Sequence, residues 1–196
     1  APMVPTDFIE SGPPLIPPST PSMHTTLMEP IVALGDPMDP AQIDVLIVYT
    51  PAARIWADMS GGGINNVITQ AMEKGQLTLD NSNTSATINL VHAIEVDYEE
   101  SGYSIADLHR LTASPTFNPW GETWEGYDIP GYMDEVHEWR DAYGADMVAL
   151  LADVGDVGGL AWLLNTTSGL PTHAFSLNRV QQAADTFTFI HELGHN

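Results

Sequence analysis

Two histidines four residues apart, with a glutamate directly after the first, stand in the stretch TFTFIHELGHN, Thr186–Asn196. On a helix, residues at i and i+4 lie one turn apart on one face, so His191 and His195 present their imidazoles together. Glu192 sits one step round from His191, within reach of whatever the two rings hold. Two imidazoles with a neighbouring carboxylate is the His-Glu-x-x-His arrangement of zinc hydrolysis. The rings bind Zn2+, the carboxylate is the general base, and the metal lowers the pKa of a water and polarises a carbonyl. This reading makes Glu192 catalytic and His191 and His195 metal ligands. A bare His-x-x-x-His pair is common by chance. The glutamate, the amphipathic setting and the preceding strand raise the odds for zinc.

Composition narrows the chemistry further. The 196 residues contain no cysteine, so thiolate metal sites, thiol nucleophiles and disulfides are excluded and any zinc must take nitrogen or oxygen ligands. Five Lys+Arg against 26 Asp+Glu give a formal net charge of -21. Such a surface repels phosphate backbones and anionic lipid, which argues against nucleic-acid and membrane partners. No apolar run approaches the ~18 residues of a membrane span. The first residue is Ala and no signal peptide precedes it, so both ends read as processed or cut.

The elements that must position the motif follow from periodicity. Residues 1–42 are proline-rich (SGPPLIPPSTPS) and read as a linker or the remnant of a pro-segment. Residues 43–196 read as one domain. IDVLIVYT is a β-branched strand ended by Pro51. Ile64, Val67, Ile68, Ala71 and Met72 recur at helical spacing after a Gly-rich entry. ATINLVHAIEVDY is a second strand, and SIADLHRL a short helix capped by Ser104. NPWGETWEGYDIPG lacks a period and reads as an aromatic loop. A helix follows with Tyr132, Val136, Trp139 and Tyr143 on one side, ended by Gly144. ADMVALLADV, GGLAWLL and HAFSLNRV are strands. The last helix is predicted to start near Asp185, with Phe187, Ile190 and Gly194 turned to the sheet. The order predicts an α/β (α+β) domain with a mixed, mostly parallel sheet.

FIHELGHN resembles the start of the metzincin zinc signature. IDVLIVYTPAAR, LVHAIEVDYEESG, MDEVHEWRDAYGADMVALL, GGLAWL and AFSLNR resemble, in that order, segments of reprolysin-like bacterial secreted metallopeptidases, most nearly the peptidyl-Asp metallopeptidase family. The resemblance spans residues 43–196. It implies a zincin-type catalytic domain with a five-stranded sheet, an active-site helix and Zn2+. It also implies secretion, protein or peptide substrates and a monomer. GGLAWLL would be the antiparallel edge strand, with Gly159, Leu160 and Ala161 docking substrate backbone. A third histidine ligand and a methionine turn are expected beyond Asn196. With two ligands and a histidine in a fraying helix end, the 196 residues alone are expected to be inactive. Relatives usually carry cysteines that this chain lacks.

Other residues have plainer readings. His92 reads as a packed or edge residue of its strand, and His137 as solvent-facing or paired with Asp141. His24, His109 and His173 have no spacing that chemistry requires. Trp120, Trp124 and Trp139 read as core or loop anchors. Arg179, one of five cations, is the nearest in sequence to the last helix, and acidic specificity would need it or a later residue. Asn83-Thr-Ser and Asn165-Thr-Thr fit the glycosylation acceptor pattern. Two rival classes stand beside the enzyme. A degenerate zincin-fold adhesion module is disfavoured by the intact Glu192, and a zinc-stabilised structural domain would need a closed four-ligand site.

Overall fold

The computed structural model describes residues 8–11, 41–164 and 169–196. The Asn165 sequon, His24 and most of the proline-rich stretch therefore lie outside the described residues. Strands β1 (Phe8–Ser11), β2 (Ala41–Tyr49), β3 (Ala86–Glu95), β6 (Met147–Ala152), β7 (Gly159–Leu163) and β8 (Phe175–Arg179) form one sheet. Its order is β1-β7-β8-β6-β2-β3. The five strands from β2 onward are those the sequence predicts. They pair in parallel except β7, which runs antiparallel to β8. β4 (Thr123–Trp124) and β5 (Tyr127–Asp128) make a separate hairpin.

β1 changes the reading of the edge. It pairs in parallel with β7, Phe8 opposite Leu160 and Ile9 opposite Ala161. β7 is therefore second from the edge, and the flank expected to be open carries a strand of the same chain.

Helices cover both faces. α1 (Pro51–Trp56), α2 (Ile64–Asn81), α5 (Val180–Ala183) and α6 (Thr188–Leu193) lie on one, and α3 (Ser104–Thr112) and α4 (Asp134–Tyr143) on the other. Strand alternation sorts the core accordingly. Val45, Ile47, Ala149 and Leu151 meet Val67, Ile68, Phe189 and Leu193, while Leu46, Val48, Val148 and Leu150 meet Ile105, Leu108 and Val136. α2 buries Ile64, Val67, Ile68 and Ala71 as its period predicts.

Local expectations fail where the partner is distant. Ser104 does not cap α3. Its backbone N–H donates to Asp156 Oδ2 at 3.0 Å and its hydroxyl to Asp156 Oδ1 at 2.5 Å, so a carboxylate 52 residues away takes the capping role. The aromatic loop contains the β4–β5 hairpin, turned at Glu125 (φ 46°) and Gly126 (φ 89°), the two positive φ values a type I′ turn needs. α1 begins at Pro51 under the hydroxyl of Thr50, which accepts from Ala53 N at 3.0 Å. It is too short to show a period. Among the described residues, no helix is long and apolar enough to cross a membrane.

Candidate metal and active site

α6 spans only Thr188–Leu193, with Phe187 at its N-cap. Asp185 lies outside the helix and does not cap it. The shorter helix also corrects its phase. Phe187 is 60% exposed, and Phe189 and Leu193, four apart, are the buried pair that seats the helix on the sheet, with Ile190 packed beside them as expected. Gly194 lies against the helix's own carbonyls; a Cβ there would be 3.3 Å from His191 O and 3.4 Å from Ile190 O.

The end of α6 is tied rather than frayed. Leu164 N–H, just past β7, donates to His195 O at 2.9 Å. His195 N–H reaches Glu192 O at 3.2 Å, and the Asn196 side chain donates to the same carbonyl at 3.2 Å. Carbonyls that a helix end leaves without intrahelical partners are thereby satisfied, and the rotation of His195 relative to His191 is fixed.

That rotation brings the two imidazoles together. His191 Nε2 and His195 Nε2 are 3.1 Å apart, with the rings 4.6 Å apart and nearly perpendicular at 87°. Two nitrogens on a tetrahedral zinc at ~2.0–2.1 Å are separated by roughly 3.3–3.4 Å. The spacing and the all-nitrogen donor pair thus fit zinc. Among the described residues no group of three or more His, Cys, Asp or Glu could hold a metal.

Glu192, the residue between them that follows His191, is 2% exposed, and its carboxyl is against β7. A Cβ built on Gly159 would meet Glu192 Oε1 at 2.5 Å and the carboxyl carbon at 2.7 Å. Of the three residues expected to dock a peptide, Gly159 has the Glu192 carboxyl packed against it, while Leu160 and Ala161 are buried in β7 and paired with Phe8 and Ile9 of β1.

β7 is anchored from its other face. Trp162 is buried, donates from Nε1 to Thr112 Oγ1 at 2.8 Å, and stacks on Trp120 at 5.2 Å. His109 and His173 both meet Trp162 edge-on, at 5.2 and 5.4 Å, and both are buried. Burial pushes the His109 pKa down to about 4, against the opposing bond from Nδ1 to Ile105 O, and lowers that of His173. These two histidines belong to the scaffold of the site, and their spacing could not show it. His92 stacks on Tyr143 at 4.1 Å, packed as expected. His137 does not pair with Asp141. Its Nε2 lies 3.1 Å from Leu111 O and 2.9 Å from Ala113 O. Arg179, at the end of β8, donates to Gln181 at 3.2 Å.

A parallel-rich sheet with a helix that offers two converging imidazoles and a buried carboxylate defines the metallopeptidase class. The sequence profile Reprolysin_5, described as Metallo-peptidase family M12, matches residues 39–196, and the chain belongs to that family. It is 30% identical over 156 residues to a peptidyl-Asp metalloendopeptidase of Stenotrophomonas maltophilia (strain K279a), covering 80% of this chain and 33% of the relative. A protein of the same name from Xanthomonas campestris pv. campestris is 28% identical over the same shares. The chain therefore spans about a third of the curated relatives it matches. A chain in a solved chaperone–substrate complex shares the fold, with a TM-score of 0.57 and 20% identity, covering 81% of this chain and 26% of that one.

Proposed function

We propose that these residues form the zinc-binding half of the active site of a secreted zinc endopeptidase. The observation that carries it is the 3.1 Å approach of His191 Nε2 to His195 Nε2, with a buried Glu192 next to His191 in the chain. Zinc, when bound, supplies Lewis acidity toward the scissile carbonyl and the attacking water. His191 and His195 hold it, and a third histidine following Asn196 in the longer protein completes the set. Glu192 accepts the proton of the attacking water and passes it to the leaving nitrogen, so carboxylate and proton inventory are restored each turnover. The backbone of Gly159–Ala161 docks the peptide as an added strand once Phe8–Ser11 moves aside.

Specificity for acidic residues is supported by the relatives' name and opposed by the chain's charge. A net charge of -21 repels acidic peptides at long range, so a local cation must overcome it. Arg179, or a residue beyond Asn196, fills that role.

One experiment tests these assignments together, using a protein extended past Asn196, its Glu192→Gln variant and the 196-residue chain. Calorimetric zinc titration should show tight one-to-one binding by the two long proteins and weak binding by the short one. On a peptide library the long wild type should cut beside acidic residues, and Glu192→Gln should lose roughly 10²–10⁴-fold in turnover. Full activity in Glu192→Gln removes Glu192 from the mechanism. Random residue usage at the cleavage site removes the acidic preference, and tight zinc binding with turnover by the short chain removes the need for a third ligand.

A further inference from the structure

The face of the sheet beneath α6 carries two polar residues where the alternation calls for apolar ones. β8 reads Phe-Ser-Leu-Asn-Arg. Phe175 and Leu177 point into the α3–α4 core, so Ser176 and Asn178 point toward α6. Both are 0% exposed. Asn178 Nδ2 donates to Ser176 Oγ at 3.2 Å, and Asn178 Oδ1 is buried with no hydrogen-bond partner among the described residues.

The register says what this carboxamide is beside. Asn178 is directly opposite Gly159 across the antiparallel β7–β8 ladder. Directly opposed residues point to one face with their Cβ positions about 5 Å apart. The Cβ position of Gly159 is the point from which the Glu192 carboxyl is 2.5–2.7 Å distant. Glycine at 159 thus leaves the volume that the Glu192 carboxyl fills, and the Asn178 carboxamide borders that volume from the next strand. A half-turn of the carboxamide would let its oxygen accept from the Ser176 hydroxyl and turn its NH2, the donor a carboxylate needs, toward the other side. Buried polar groups without partners are rare in strands, which makes a positional role the economical account of Asn178.

We propose that Gly159 and Asn178 are positioning residues for Glu192: the missing side chain at 159 admits its carboxyl beside β7, and the carboxamide at 178 fixes its orientation. This rests on Glu192 acting as the base. Gly159 also has a second candidate role, as docking backbone, and the two differ in what they change. A displaced base lowers kcat, whereas a spoiled docking strand raises KM.

The test uses the long protein with a fluorogenic peptide containing one internal aspartate, and zinc alone as a separate probe. Gly159→Ala and Asn178→Leu should each lower kcat by roughly 10–10²-fold, the order expected when a reacting group is displaced by about 1 Å. KM, zinc affinity by calorimetry and Tm should hold. In a Glu192→Gln background the Gly159→Ala penalty should largely vanish, because residues that act through one another are not additive. An undiminished penalty in that background, or a rise in KM with kcat intact, overturns the proposal. If Gly159→Ala does not fold, Asn178→Leu in the same two backgrounds decides alone. Wild-type turnover in Glu192→Gln would instead sink the base assignment itself. A crippled Glu192→Gln beside fully active Gly159→Ala and Asn178→Leu would sink only the positioning.

Discussion

His109 shows how a residue with no motif can govern stability. It is fully buried, stacked 4.3 Å from Trp124 and edge-on to Trp120 at 4.5 Å. Its pKa falls from the usual 6.5 to about 4 chiefly because burial disfavours the charged ring, only partly offset by the bond to Ile105 O. The folded pKa is the depressed one, so the unfolded chain takes the proton first as pH falls. Stability from this group is complete above pH 6.5 and is lost progressively down to about 4, a total of about 3 kcal/mol at ~1.4 kcal/mol per unit. His173 and His137 are lowered by burial too and act in the same direction. Urea unfolding of the wild type and His109→Phe at pH 7.5 and 4.5 should show a smaller loss in the variant by about 2–3 kcal/mol. Parallel losses would mean that His109 is charged in the fold. Residues of this kind were illegible in the sequence because their partners come from α3, the β4–β5 segment, β7 and the turn before β8. The approach of His191 to His195 was legible because four residues separate them, even though α6 ends at Leu193 and His195 falls in the turn after it. Ser176 and Asn178 left a signal that could have been used, two polar residues in phase within a buried strand.

Among the elements, helical spacing located α2 and α4, alternation located β3, and short apolar runs located β2, β6, β7 and β8, because each of these signals is written in consecutive residues. It could not place β1, because Phe8–Ser11 pairs with residues about 150 positions away and nothing local announces the partner. That pairing has a consequence for the proposed enzyme. A strand offers one row of backbone donors and acceptors on each flank, and β8 uses one flank of β7 while β1 uses the other. A peptide adding to β7 must therefore displace Phe8–Ser11. In the protein extended past Asn196, starting the chain at residue 39 should lower KM for the aspartate-containing peptide with kcat little changed. The drop should be roughly tenfold if the displaced pairing is worth ~1.4 kcal/mol. An unchanged KM would mean that β1 and substrate do not compete for this flank.

Across the whole molecule the dominant physical fact is charge. The formal net charge of -21 comes with only five cations, of which Arg54 pairs with Asp58 at 3.2 Å and Glu95 at 2.5 Å. Arg140 is spent on backbone carbonyls of Ala145, Asp146 and Pro171, and Arg110 on Asp128 O and the Tyr98 hydroxyl. Little attraction is available to offset repulsion among the carboxylates, and repulsion is the term that salt removes. The screening length shrinks from ~30 Å at 0.01 M to ~3 Å at 1 M. Stability should therefore rise with sodium chloride, opposite to a fold held by surface ion pairs. If the relieved repulsion is 1–2 kcal/mol, Tm rises by roughly 2–8 °C for a domain of this size. The measurement is a melting series at pH 7.5 from 0.01 to 1 M salt with a chelator present, so that metal binding plays no part. The same series at pH 4.2, the pI, provides the control, since a molecule without net charge has no global repulsion to screen. A salt-dependent Tm at pH 7.5 that flattens at pH 4.2 identifies repulsion as the cause. Equal slopes at both values would assign the effect to strengthened apolar burial, and a falling Tm at pH 7.5 would mean that attractive pairs outweigh the excess of carboxylates.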